Sequence, residues 1–385
     1  MRVLIVCDVL GEENNGTTVA AMNLIRFLKS RGHDVRVLCA DQDKRGLDGI
    51  YVVPNLKLGG PLDAYVAKVG VTLAKADDAV VRAAMEDVDH IHVMLPFLLG
   101  MKVTKLAREG NLPITAGFHM QAQNFTSHLK LNRCALANKA VYRFIYRRVY
   151  RHVDAIHYPT AFIRDVFERS VKKPTNGYVI SNGVHKYVKP CALEKPPQWK
   201  DKIVILTTGR YSREKSQDTL IKAVARSKHR DKIQLILGGQ GPKEAYYRRL
   251  SKKLTNKPIF RFYSRTEIID VLNCADLYVH PAEVELEGIS CLEAIACGKL
   301  TIVSDSKHAA TKGFARDERC IFRSRSPKDL ARVIDYWIEH PEQRCEYEKT
   351  YKEQANAFDQ ENCMLQMERM MREVANAKRE ESLLL

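Results

Sequence analysis

The chain has no Cys-x-x-Cys pair, although ten cysteines are scattered through its 385 residues. Zinc ribbons and knuckles need such pairs, and disulfide scaffolds pack their cysteines densely. Both are therefore disfavoured, and the thiols read as reduced, in a cytoplasmic setting. No apolar run approaches the roughly 20 residues of a membrane span. The opening Met1-Arg-Val-Leu-Ile-Val-Cys7 is too short an apolar run for a signal peptide. Membrane contact is thus expected to be peripheral, on the cytoplasmic face. No Gly-x-Gly-x-x-Gly follows the first strand, which argues against a dinucleotide turn. Acids are absent from Gly110 to Val153.

Cations dominate instead: 62 Lys and Arg against 46 Asp and Glu give a net charge of +16. That excess points to acidic partners such as nucleic acid, anionic lipid or phosphorylated ligands. The length suggests two domains. Arg2 to Cys7 is a buried-strand pattern, a helix is expected from about Val19 to Arg31, and Asp34 to Ala40 is the next strand. This β-α-β unit opens a doubly wound parallel sheet. Lys186 to Lys200 is rich in Pro, Lys and Glu and reads as a linker, after which Ile203 to Thr207 begins a second doubly wound domain.

The most informative stretch runs from Tyr278 to Val303. It reads as a strand, a loop holding Glu283, Glu285 and Glu287, a helix carrying Ile289, Leu292 and Ala296, a C-cap at Gly298, and a strand. Free N–H groups near Gly288, Ile289 and Ser290 would form an anion site. Acids beside an anion site suit a ligand with both phosphates and hydroxyls, which describes a nucleotide-sugar. Gly209, Arg210 and Lys215 follow a strand directly and suit a diphosphate. His119, Gln121, Gln123 and Asn124 cluster where a parallel strand ends, the place such sheets put their sites.

The pattern Glu-x-x-Gly-x-x-x-Leu-Glu-Ala-x-Ala-x-Gly from Glu285 to Gly298 resembles the Glu-x7-Glu signature of the retaining glycosyltransferases of family 4. The resemblance implies the GT-B fold, an α/β architecture of two doubly wound Rossmann-like domains facing across a cleft. It implies an acceptor-side domain over 1–188 joined by a last helix at about 360–385, and a donor domain over 189–359. It implies that Glu285 contacts the donor sugar and Glu293 the ribose, while Arg210 and Lys215 bind the diphosphate in place of a metal. No metal and no cofactor are expected; the nucleotide-sugar is a substrate. Gly239 and Gly241 match the family's Gly-x-Gly-Pro turn. Arg265 and Glu267 fall where the base is seated, Gly16-Thr17-Thr18 where the first loop nears the phosphates, and His119 where a histidine lies near donor sugar and acceptor. His185 stands where the family usually has Asp, and Ser304 to His308 replaces a more usual Gly-rich turn.

Lys139, Arg143, Arg147 and Arg151 recur every four residues, with Tyr142, Tyr146 and Tyr150 beside them and Val141, Phe144, Ile145 and Val149 as an apolar side. Cations with interfacial aromatics suit an anionic membrane surface. A solvated basic face and a nucleic-acid surface are the alternatives, and nucleic acid is not the expected partner because no zinc-finger or RNA-recognition pattern is present. The expectation is therefore transfer of a hexose from a nucleotide diphosphate sugar, UDP-glucose or UDP-galactose, to a membrane lipid hydroxyl such as that of diacylglycerol. A soluble or polyisoprenoid-linked saccharide is the alternative acceptor. Gln121, Asn124 and the basic stripe would serve the acceptor and the membrane.

Overall fold

Continuous apolar runs bury both faces of the central strands, as parallel sheets covered by helices on either side require. In the computed structural model, which describes residues 1–8, 10, 16–57, 59–60, 73–126, 131 and 134–384, two units account for the chain. The first comprises Met1–Ser181 with Glu361–Leu385, and the second Asn182–Gln360.

Unit one is built on β1 (Arg2–Val6), β2 (Asp34–Cys39), β3 (Ile50–Val52), β4 (His90–Val93), β5 (Ile114–Gly117), β6 (Ala155–Tyr158) and β7 (Gly177–Val179), in the order β3-β2-β1-β4-β5-β6-β7. The first helix spans Gly16–Ser30 and buries Ala20, Ala21, Leu24, Ile25 and Leu28. It therefore starts three residues earlier than Val19, and Gly16-Thr17-Thr18 forms its first turn, with Thr18 buried. The loop glycine Gly11 lies outside the described residues. The last helix, Gln360–Leu383, presents Cys363, Met364, Met367, Met370 and Met371 to the same core as β1 and β2. The three-and-four spacing of those residues is what makes one apolar face.

Glu368 sits on that buried face. It bonds His33 at 3.0 Å and Arg31 at 3.1 Å, and Arg372 at 2.7 Å. Burial pushes its carboxyl up, but the bonds from Arg372, His33 and Arg31 outweigh burial and hold it at about 2, against an ordinary 4.5. A depressed carboxylate adds stability above the unfolded pKa and loses it as pH falls through the folded one. Glu368→Gln is thus expected to cost about 3 kcal/mol near neutrality. In acid titrations followed by circular dichroism, its stability should fall less steeply than wild type between pH 4.5 and 2.

Unit two is built on β8 (Ile203–Thr208), β9 (Ile233–Gly238), β10 (Ile259–Arg261), β11 (Leu277–His280), β13 (Thr301–Ser304) and β15 (Ile321–Phe322), in the order β10-β9-β8-β11-β13-β15. A separate two-stranded pair, β12 (Val284–Glu285) and β14 (His308–Ala309), stiffens the acidic loop read as irregular. The stretch read as a linker is packed on this unit: Val188 and Trp199 join its core, and Lys195 bonds Asp276 at 2.5 Å. Its prolines shape a surface strap rather than a free tether. Both sheets reverse strand order at a central pair, β1/β4 and β8/β11, where open α/β sheets place ligands.

Candidate functional site

At the β8/β11 reversal two strand ends deliver chemistry to one spot. Gly209 follows β8 with φ 139°, and Lys215 returns beneath it: a side chain at Gly209 would meet the Lys215 stem at 3.9 Å. Ser216, in the left-handed region at φ 51°, turns the chain from Lys215 into the helix Gln217–Val224. Its hydroxyl bonds Glu283 at 2.9 Å, which holds that turn. A non-glycine residue held there stores strain, a feature that clusters at functional sites.

The three acids of the loop divide into different tasks. Glu283 pairs with Arg325 and Ser216. Glu287 is buried and accepts from the Asn182 backbone N–H at 3.1 Å and from its side chain at 2.5 Å. Both therefore brace the loop. Glu285 differs from both: Lys215 Nζ and His280 Nε2, the latter at 3.0 Å, bond the same one of its oxygens. Behind His280, Tyr278 OH lies 3.3 Å from its Nδ1 and 2.9 Å from Thr208 Oγ1. Burial pushes the Glu285 carboxyl up, yet Lys215 and His280 outweigh it and hold the group at about 2. Burial in turn pushes the His280 imidazole down. Glu285 is thus held as a carboxylate anion beside the Lys215 side chain.

Gly288 takes φ 89° at the start of the helix Ile289–Ala296. A Cβ there would meet Thr311 at 2.6 Å and Glu285 Cγ at 3.2 Å, so only glycine lets the helix begin this close to the carboxylate. Ile289 and Ser290 form its half-buried first turn, and the Ser290 hydroxyl reaches Tyr278 OH. Glu293, one turn further, is pushed up by burial to about 7 against a smaller opposing pull from Arg265.

A second wall is made by the turn after β9. Gly239 and Gly241 take φ 151° and 156°, and a Cβ on Gly239 would lie 2.1 Å from the Gly209 carbonyl oxygen. Tyr211 N donates to Gln240 O at 2.9 Å, and Lys243 N to Tyr211 O at 3.0 Å. The two loops are therefore locked back to back, with Arg210 exposed beside Gly241. Ser264 and Glu267 form a reciprocal capping box on the helix Arg265–Cys274, and Glu267 also pairs with Arg261. Helix capping accounts for Glu267, which leaves Arg265 as the residue of that turn closest in charge to Glu293.

In unit one, His119 follows β5 and is buried with Gln121 and Gln123. The Asn124 side chain lies outside the described residues. His119 has two neighbours that the sequence reading passed over, His92 on β4 and His157 on β6; one ring nitrogen from each of the three lies within 4.8 Å of the others. Unit one also carries two Asp-x-Asp triplets, Asp41-Gln42-Asp43 and Asp87-Val88-Asp89. Asp41 accepts from Leu10 N at 2.6 Å and Asp89 from Arg2 N at 2.7 Å, so both serve strand ends.

The basic helix differs from its periodic reading. It spans Ala135–Arg148, and Arg151 lies beyond it in a short 3-10 turn, because Val149 and Tyr150 turn into the core. Tyr142 and Tyr150 are buried against Phe118 and Phe167 rather than interfacial, with Tyr150 OH bonded to Gly117 O at 3.1 Å. Phe144, assigned to the packing side, is 50% exposed, and Arg148 stacks over its ring. Lys139 is half-buried, and Arg143, Arg147 and Arg148 are exposed. Lys130 and Arg133 lie outside the described residues. No helix among the described residues is long and apolar enough to cross a membrane.

Residues 14–186 match the family described as Glycosyltransferase Family 4, and residues 192–356 that described as Glycosyl transferases group 1. The chain is 23% identical over 318 residues to alpha-monoglucosyldiacylglycerol synthase of Streptococcus pneumoniae, covering 77% of this chain and 70% of that protein. It is 27% identical over 311 residues to a GDP-mannose-dependent alpha-mannosyltransferase of Corynebacterium glutamicum, covering 78% and 72%. Sucrose-phosphate synthase from Thermosynechococcus elongatus superimposes over 97% of this chain and 99% of its own with a TM-score of 0.74 at 18% identity, which shows the GT-B fold.

Proposed function

The chain is a glycosyltransferase of family 4 with the GT-B fold, and from that premise we propose that it moves a hexose, with retained configuration, from a nucleotide diphosphate sugar to the hydroxyl of a membrane lipid. The observation that carries the donor half is the Lys215–Glu285 pair at the β8/β11 reversal. An ammonium and the exposed Arg210 can neutralise a leaving diphosphate without a metal, and the N–H groups of Ile289 and Ser290 add fixed dipoles. Glu285, held ionised, accepts from sugar hydroxyls, and Glu293 and Arg265 serve the ribose and the base. A diacylglycerol or related lipid acceptor is supported by the names of the relatives, one of which makes alpha-monoglucosyldiacylglycerol. A glucose or galactose donor carried by UDP is our reading; a relative named for GDP-mannose makes GDP-mannose the competing donor.

The test is a donor screen. UDP-glucose, UDP-galactose and GDP-mannose are each offered with lipid vesicles, in the presence and absence of chelator, and nucleotide diphosphate release is followed. Release from a UDP-hexose that ignores chelator supports this reading. Release only with GDP-mannose overturns the donor, and strict dependence on a divalent ion overturns the role given to Arg210 and Lys215.

Docking is assigned to the helix Ala135–Arg148. Leu136 is 79% and Phe144 50% exposed beside Arg143, Arg147 and Arg148, a pairing of apolar and cationic side chains suited to anionic headgroups. Each cation near an anionic surface contributes about 1 kcal/mol. Changing Arg143, Arg147 and Arg148 to Gln should weaken vesicle binding on the order of a hundredfold, and salt should weaken the wild type similarly. Co-sedimentation with phosphatidylglycerol vesicles, with duplex DNA as the competing surface, measures this. Binding indifferent to lipid charge, or stronger to DNA, contradicts it.

A further inference from the structure

Strands β4, β5 and β6 lie side by side, and their register puts three histidines around one gap. His92 pairs with Thr115, and Gly117 pairs with His157. Paired residues of neighbouring strands share a face, as do residues two apart along one strand. His92, Thr115, Gly117 and His157 therefore share a face, and His119 follows just past the end of β5. Gly117 has no side chain to fill the space. A Cβ there would lie 2.5 Å from His119 Nε2 and 3.4 Å from His92 Nε2.

Each of the three rings has one nitrogen left without a partner, and those of His92 and His119 border the gap at Gly117. His92 Nε2, His119 Nε2 and His157 Nδ1 are buried and make no hydrogen bond. Two of the opposite nitrogens are engaged: His157 Nε2 bonds Ile180 O at 2.7 Å, and His92 Nδ1 bonds Thr115 Oγ1 at 2.8 Å. A carbonyl can only accept, so His157 carries its proton on Nε2 and a lone pair on Nδ1. A buried polar atom left unpaired is unfavourable, and three on histidines whose ring nitrogens cluster within 4.8 Å need a common explanation. Outer hydrogen bonds that fix imidazole orientation are the usual support of metal-ligating histidines.

We propose that His92, His119 and His157 bind one divalent transition-metal ion of the zinc, cobalt, nickel and copper group. An all-imidazole donor set favours these ions over magnesium or calcium, which take oxygen. No fourth His, Cys, Asp or Glu among the described residues joins the three. All three ligands come from unit one; His119 among them is the residue that the resemblance places near donor sugar and acceptor, so metal binding is read directly and not through transfer activity.

The test is direct binding to the full, untagged chain. After metal removal, Co²⁺ is titrated and followed by its visible absorption, Zn²⁺ is used to displace it, and bound metal is counted by mass spectrometry. About one equivalent, with visible bands of a four- or five-coordinate nitrogen-ligated ion, is expected. His119→Ala should abolish the bands. His157→Gln keeps a donor for Ile180 O while removing the Nδ1 lone pair, and should abolish them too; circular dichroism shows whether each variant is folded. His185→Ala, in the other unit, should retain full binding. Absence of stoichiometric binding by folded wild type overturns the proposal, as does binding unchanged in folded His119→Ala and His157→Gln.

Discussion

Lys215→Ala should lower transfer by on the order of a hundredfold to a thousandfold while leaving unit two folded, the range found when one charge-stabilising donor is removed from an active site. The ammonium is not part of the core; its side chain is 23% exposed and its partner Glu285 13%. Removing it has two consequences. The leaving diphosphate loses a cation, a loss of about 3 kcal/mol or more in the barrier. Glu285 loses the charge that most strongly opposes its burial, so its pKa must rise from about 2. The sign follows: the wild-type carboxylate stays ionised far into acid, whereas the residual activity of the variant should decline at a higher pH. Steady-state kinetics across pH, beside a circular dichroism spectrum, check both. A variant with near wild-type turnover would remove Lys215 from the chemistry.

Gly239→Ala should cost about 3 kcal/mol or more of unit-two stability and abolish donor binding. The backbone at φ 151° is one L residues rarely adopt, and the added methyl would sit 2.1 Å from the Gly209 carbonyl oxygen. Strain of that conformation costs about 1–2 kcal/mol, and overpacking against backbone about 1–3 more. The carbonyl belongs to the loop that carries Arg210 and Lys215, so relief requires moving the diphosphate loop itself. Gly46→Ala is the control: its φ is 87° and nothing lies within 4 Å of the added Cβ, so it should lose only the conformational part. Thermal melts and nucleotide titration distinguish the two. Equal effects in both variants would mean that the close approach of Gly209 and Gly239 contributes nothing.

Residues that follow a strand directly were the legible part of this site. Gly209, Lys215 and Glu285 sit within a few positions of apolar runs, and a parallel sheet places such residues at one edge whatever the loops do. His280 was not legible, because what gives it a task is Glu285 on one nitrogen and Tyr278 on the other, and neither bond has a pattern in the chain. The histidine trio was hidden for the same reason: His92, His119 and His157 belong to three strands, and only the register at Thr115 and Gly117 brings them together. The basic helix shows a different limit. Spacing by four identified one stripe, but it could not tell that Tyr142 and Tyr150 would take the buried side and Phe144 the exposed one. Which face packs is decided by Phe118 and Phe167, far along the chain. Nor could periodicity show that the helix stops at Arg148, since Val149 continues the pattern while its backbone leaves it.

The most direct measurement of the central claim is where the sugar goes. Radiolabelled UDP-glucose and UDP-galactose are incubated with the full chain and vesicles containing, in turn, diacylglycerol, phosphatidylinositol or a sterol, and with a soluble saccharide in parallel. The products are then extracted into organic solvent. The account predicts label in the organic phase with at least one hydroxyl-bearing lipid, in an alpha linkage, and its loss with Lys215→Ala. Label that stays with the soluble saccharide, or organic-phase label undiminished in Lys215→Ala, would contradict it.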